Sequence, residues 1–371
     1  MPTEIDLGMP PAGYAIEGAK KDGDSVLVQF REFVSTEDGQ HLAQRLEGIP
    51  DEILRLYRPV TSPWQVGTML AVIRRDGKGT VYVNEISQVA TVRPTGPVLK
   101  GASVTKNDIA EFESLDLGVV IPENAGVLYL FPVGWRRGLF YDFGPIAGPN
   151  PEPRNYDLGA ALGQAYCHVL FQERFGISDS EWSLLLQSKW FPFVGLNNAT
   201  IDSMLAYVRA GWSIDDMLEK IVGEVKGFAP QMLDTWKQHA AFAPHLSILE
   251  RAVERFLSDD FMSCTGLLFP RIEGIMRTYQ SSLGIVKSAS AKNLARAAVS
   301  KKLPKEKCLL LPHKFENYLQ EVFFASFNPR DSGIDVSRHS VAHGIASTNE
   351  FNQKSAAIGL LVTHQLAFCF T

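Results

Sequence analysis

Four cysteines in 371 residues, none in a Cys-x-x-Cys pair, are too few and too scattered for a disulfide framework or a thiolate metal site. Cys167, Cys264, Cys308 and Cys369 all sit in apolar or helical surroundings, which reads as buried thiols in a reducing cytoplasm. No uninterrupted apolar run approaches the ~20 residues of a membrane span. The opening MPTEIDLGMPPAG lacks the basic start and apolar run of a secretory signal. No membrane partner and a cytoplasmic location are therefore expected. Basic charge is not in excess either: 36 Lys and Arg stand against 41 Asp and Glu, a formal net charge of −5. That argues against a large non-specific nucleic-acid surface and leaves room for a small basic groove. A Walker loop, a Gly-x-Gly-x-x-Gly after a strand and a Gly-x-Ser-x-Gly elbow are all missing. No internal repeat or low-complexity run is present.

What is there divides by composition. Residues 1–20 are dominated by Pro, Gly and charge and read as a flexible leader. Strand signals follow at 25–30 and 69–73, then the turn Asp76-Gly77-Lys78-Gly79 and a strand at 80–84, which together predict a β-hairpin. Residues 36–56 look helical in pieces. A second hairpin is predicted at 126–143, with Gly134-Trp135-Arg136-Arg137-Gly138 as its tip. Residues 1–145 thus form an N-terminal mixed or mainly β module. Residues 146–156 read as a Pro/Gly-rich linker and the domain boundary. Beyond it the chain reads as all α. Helices are expected at 157–175, 181–190, 201–209 and 214–225, the last capped by Ser213. They continue at 245–257, 260–282, 315–327 and 351–370, with a basic connector and short helix over 287–307. In 245–257 Leu246, Leu249, Val253, Phe256 and Leu257 recur at helical spacing. The fold class is α+β, with a helical region at 157–240 and a separate helical domain at 241–371.

The chemistry-bearing segment is Ser337-Arg338-His339-Ser340-Val341-Ala342-His343-Gly344. A guanidinium holds phosphate, and an imidazole moves protons near neutral pH. Arg338 and His343 are five positions apart, ~140° around a regular helix, so they converge only across a helix end, a kink or a second chain. His339 and His343 share a face. Gly344 suits a left-handed helix stop, and Asp335 or Ser337 suits the N-cap. A structural use is also open, with Glu273 as ion-pair partner of Arg338.

Arg, a polar residue, a short spacer and His is a motif of HEPN domains, the all-α superfamily of many prokaryotic defence and toxin systems, and the segment resembles it. Leu267-Leu268-Phe269-Pro270-Arg271-Ile272-Glu273-Gly274-Ile275-Met276-Arg277 is similar to the long helix of some members, and a final amphipathic helix after the motif adds to the likeness, over residues 245–371. The resemblance implies a HEPN-like helical bundle and a homodimer through the C-terminal domain. It also implies metal-independent endoribonuclease activity giving 2′,3′-cyclic phosphate ends, in a defence or toxin effector. His343 is then the acid/base, Arg338 the phosphate ligand, and His339 the residue that orients them. RNA is the implied partner and no cofactor is needed. The alternative is a non-catalytic HEPN-like protein that dimerises or binds nucleotide or RNA.

Weaker candidates remain. Trp135, Arg136 and Arg137 at the hairpin tip pair an aromatic with two cations, which suits a phosphate or base; an exposed tip with its Trp packed below is the plainer reading. Glu273 and Arg277 either line the motif or form an ordinary i, i+4 pair. The basic run from Lys287 to Lys307 is either an RNA-facing rim or a solvated connector. His339 and His343 have metal-ligand spacing, but no Glu follows His339 and no further ligand is near in sequence, so no metal is expected. His41, His168, His239, His245, His313 and His364 have no partner that can be named from sequence.

Overall fold

Alternating burial along β-strands organises the first part of the molecule. The computed structural model describes residues 2–18, 21–57, 61–148, 150–285, 290–305, 307–326 and 337–371. In chain order the strands are β1 (Thr3–Asp6), β2 (Tyr14–Ala15), β3 (Val28–Gln29), β4 (Arg31–Ser35), β5 (Met69–Ile73), β6 (Lys78–Val83), β7 (Val89–Pro94), β8 (Ile109–Asp116), β9 (Gly126–Val133) and β10 (Arg136–Asp142). Six of them make one sheet in the order β1-β6-β5-β9-β10-β4, and every pairing with a described register is antiparallel. Both expected hairpins form. On β5, Met69, Ala71 and Ile73 face one core and Leu70 and Val72 the other, as a period of two requires. The first core takes Leu42 and Leu46 of α1 (Gln40–Leu46) and Ile53 and Leu54 of α2 (Ile49–Tyr57). The second takes Leu162, Ala165 and Val169 of α3 (Leu158–Leu170). Both sheet faces are covered, so the strands are nearly continuous apolar runs. Gly138 of β10 sits under the Phe131 ring, where an added Cβ would come within 2.4 Å of it.

The chain divides into two compact units, residues 1–92 with 112–172, and 93–111 with 173–371. This differs from a boundary at 146–156 in two ways. The Pro/Gly-rich stretch is docked: Ile146 and Ala147 join the α1/α2 core, and Arg154 is buried. Arg154 Nε donates to Asp142 at 3.0 Å, and Tyr156 Oη donates to the same carboxylate at 2.7 Å. Pro149 lies outside the described residues. The leader also differs from expectation, because β1 pairs with β6 and buries Ile5.

The second unit is helical, and one core runs through it from Trp182 to Phe370, so 157–240 and 241–371 are not separate domains. Its helices begin with α4 (Gln172–Phe175), which enters from the first unit, followed by α5 (Asp179–Gln187), α6 (Asn198–Ala210) and α7 (Leu218–Lys237). They continue with α8 (Leu246–Leu257), α9 (Phe261–Ser282), α10 (Ala291–Val299), α11 (Pro312–Tyr318), α12 (Arg338–Ala342) and α13 (Gln353–Cys369). Ser213 caps a 3₁₀ turn that leads into α7. α7 runs twelve residues past the expected end at 225 because its buried stripe of Val225, Ala229, Met232 and Trp236 continues while Pro230 points to solvent. α13 packs among α7, α8, α9 and α10. It is not amphipathic: every residue from Ala356 to Cys369 is buried. Inside it, Gln365 accepts from Val194 N at 2.8 Å and donates to Leu310 O at 3.0 Å. Glu111, 1 % exposed, is ion-paired with Lys302 and Lys305. Burial raises its pKa, but hydrogen bonds and charge from the two lysines outweigh this and hold it below the usual carboxylate range. Part of the expected basic rim is therefore a buried charge clamp; Lys287 lies outside the described residues.

His364 is wholly buried on α13, and neither ring nitrogen has a partner. Burial, then the His239 charge, pushes its pKa down to about 3. A lowered folded-state value means that stability is full above the unfolded value of ~6.5 and is lost as pH falls. Between pH 7 and 5 the wild type should lose ~2 kcal/mol more unfolding free energy than His364→Phe, measured by urea titration. Equal losses would mean that the ring takes up a proton in the folded state.

Candidate functional site

The motif folds locally. Ser337 is the N-cap of α12: its Oγ accepts from Ser340 N at 3.2 Å, and Ser340 Oγ accepts from Ser337 N at 2.8 Å. Asp335, the other expected cap, lies outside the described residues. Ser337 Oγ also donates to Ala325 O at 3.1 Å, which anchors the turn to the segment before it. α12 lasts only five residues. His343 is its C-cap, and Gly344 takes φ +67°, the left-handed stop that glycine adopts without a Cβ penalty. The helix end therefore falls between Arg338 and His343, as their spacing demands for any convergence.

Glu273 of α9 lies beneath this turn, its side chain 7 % exposed. It forms an ion pair with Arg338 and accepts from Arg277 Nε at 2.7 Å. Arg338 Nη1 lies 3.3 Å from His339 Nδ1, and the His339 ring sits 6.1 Å from that of Phe324. Burial lowers the His339 pKa first; Arg338 lowers it next, Glu273 raises it, and His343 lowers it further. Its imidazole is thus neutral at pH 7, within electrostatic reach of both Arg338 and His343. His343 is exposed, and Arg338 is 24 % exposed at its side chain. The turn gathers Arg338, His339, His343, Glu273 and Arg277 on one platform. Such a set can hold a phosphate and exchange protons without a metal.

The hairpin-tip candidates are arranged otherwise. The turn consists of Gly134 and Trp135 alone, because Arg136 already pairs with Val133 in the ladder. Trp135 is 76 % exposed rather than packed below the tip, and Arg136 lies 5.3 Å over its ring. Arg137 Nη1 donates to Val66 O at 2.6 Å and Nη2 to Trp64 O at 2.7 Å, so this guanidinium ties the tip to a neighbouring loop. The tip belongs to the first unit and the motif to the second.

Sequence reading missed a cluster in the first unit. Glu32 accepts from His41 Nε2 at 2.8 Å, Arg45 Nε at 2.7 Å and Tyr141 Oη at 2.7 Å. Burial raises its pKa, but these three hydrogen bonds and the Arg45 charge bring it below the usual range. With three donors on one carboxylate the group is a clamp. No spacing signals it, since its members come from β4, α1 and β10.

All four cysteines are buried and free. Among the described residues no three His, Cys, Asp or Glu side chains come together to hold a metal, and no helix is long and apolar enough to cross a membrane. No family model matches the chain, and no curated protein or solved structure matches it.

By two-dimensional NMR the His339 ring should titrate below ~6.5. Glu273→Gln should lower it further and Arg338→Gln raise it. A titration unmoved by Glu273→Gln would separate the carboxylate from the turn.

Proposed function

We propose that this protein is a metal-independent endoribonuclease of the HEPN type, acting in the cytoplasm as a defence or toxin effector. The observation that carries the reading is the α12 turn, which presents an exposed His343 beside Arg338 over the buried Glu273. The bundle of α8, α9, α12 and α13 then corresponds to the HEPN domain, and a second copy of the chain supplies a second Arg–His pair across a two-fold interface. α13 is buried within its own chain, so that interface has to use other faces.

Chemistry follows from the groups present. An imidazole takes the ribose 2′-hydroxyl proton as the 2′ oxygen bonds to phosphorus. The bond from phosphorus to the 5′ oxygen breaks, and a second imidazole protonates the leaving oxygen. No water is consumed, and the products are a 2′,3′-cyclic phosphate and a 5′-hydroxyl. Arg338 neutralises the charge that builds on the phosphoryl oxygens. Glu273 aims the guanidinium while Arg277 shares the carboxylate. His339, neutral and in contact with Arg338, is the orienting group. Four buried thiols suit a reducing compartment.

A second reading rests on the same ion pair. If Glu273 fully occupies Arg338, the turn is structural and the bundle is a non-catalytic dimerisation or RNA-binding module.

Incubating the wild type with total and transfer RNA decides between them. Cleavage should occur, and His343→Ala should reduce it by ~10²–10⁴-fold while circular dichroism stays unchanged. Arg338→Ala should cost about 3–4 kcal/mol of transition-state stabilisation. A wild type that cuts neither RNA, or an equally active His343→Ala, would leave only the binding reading.

A further inference from the structure

A cavity of about 710 Å³, within the size range of small-molecule sites, opens in the helical unit. It is walled by residues 93–97, the last turns of α7, and the end of α13 with Thr371. Its lining divides by chemistry. Pro94, Pro97 and Phe368 offer flat apolar faces, while Gln231, Thr235 and Gln238 offer amides and a hydroxyl from α7 and the residue after it. Arg93 and His239 form the basic side.

Charge on that side is unbalanced. Arg93 donates to Thr371 Oγ1, and its Nε lies 3.9 Å from Glu111, but Glu111 already answers Lys302 and Lys305. Asp234 also lines the wall, 3.5 Å from Lys237. Lys301 adds a further positive charge near His239 and donates to Phe370 O at 2.7 Å. The His239 pKa is lowered by burial first and then by Arg93 and Lys301, the mark of basic groups that repel one another. An anion among them turns that repulsion into attraction.

A second, independent observation lies behind the α13 wall. His364 precedes Phe368 by one helical turn, with its ring edge-on to Phe368 at 5.1 Å and to Phe228 at 5.4 Å. It is wholly buried with both ring nitrogens unpartnered, an arrangement that costs free energy in a closed core. An apolar residue would fill the same place without that cost.

We propose that this cavity binds a small organic anion carrying a flat ring, of the nucleoside monophosphate class. The phosphate lies against Arg93 and His239. The ring lies between the prolines and Phe368, with its polar edge towards the amides of Gln231 and Gln238. None of Arg338, His339 or His343 lines the cavity, so this site is separate from the proposed RNA-cleaving turn.

The test is isothermal titration calorimetry of the full chain at low salt. The ligands are the adenosine, guanosine, cytidine and uridine 5′-monophosphates, with inorganic phosphate and the parent nucleosides as comparisons. At least one monophosphate should bind saturably and more tightly than phosphate or its own nucleoside. Arg93→Gln should weaken that binding by about tenfold or more, the loss of a charge-assisted hydrogen bond. Thr235→Trp fills the cavity without removing a charge and should abolish binding; His343→Ala should leave it intact. No saturable heat with any of the four, equal binding of inorganic phosphate, or binding that survives Thr235→Trp overturns the proposal. Because His343→Ala is read by RNA cleavage in one experiment and by calorimetry in the other, the two readings fail separately.

Discussion

The placement of Arg338 rests on one buried carboxylate. Glu273 projects from the middle of α9, where a lone anion would be expensive, and two guanidiniums meet it there. Arg277 comes from the same helix one turn on, a local pairing that any helix can make. Arg338 comes from a five-residue helix sixty-five positions later and has no such local reason to be there. The carboxylate fixes the direction of α12, and the capping box of Ser337 and Ser340 fixes its start. Together they leave His343 at a helix end facing solvent. Without Glu273 the turn would keep its caps but lose the charge that orients the guanidinium.

That platform is only as rigid as α9, and α9 owes its position to α13. A helix buried on every side is a core element, and here it serves as the axis about which α7, α8, α9 and α10 pack. Its polar residues are handled unequally. Gln365 uses both ends of its amide to join two loops, Thr363 returns a hydrogen bond to Gly359 O at 2.7 Å, and His364 is left without a partner. The least satisfied group of the core thus lies beside the largest lined space of the unit, and the proposed ligand site draws its argument from that coincidence.

Much of the architecture was legible because it is local. The hairpins at 69–83 and 126–142 announce themselves by alternation and by glycine at the turn. The helix 246–257 shows its apolar stripe, and the motif turn carries its own cap and stop in eight residues. Other features were hidden because they depend on partners far away in sequence. Nothing in residues 1–20 shows that β1 adds to a sheet edge through Lys78–Val83. Pro and Gly around 144–153 suggested a free linker, yet Arg154 is drawn down by Asp142. Pro230 argued for a helix end, but the buried stripe on both sides of it outweighs one missing hydrogen bond. Lys302 and Lys305 looked like solvated charge, and Glu111, almost two hundred positions earlier, takes them inside. The pairing of Glu273 with Arg338 was visible only as one option among several, since no spacing rule joins a helix to a distant turn.

The account's central claim is that an imidazole and a guanidinium on this turn cut RNA by using the substrate's own 2′-hydroxyl. The most direct measurement is end-group analysis of fragments produced by the purified protein in EDTA. The account requires a 2′,3′-cyclic phosphate on one fragment and a 5′-hydroxyl on the other, with no product from a substrate carrying 2′-deoxyribose at the cleavage position. Fragments ending in 3′-hydroxyl and 5′-phosphate, or activity that disappears with the metal, would contradict it.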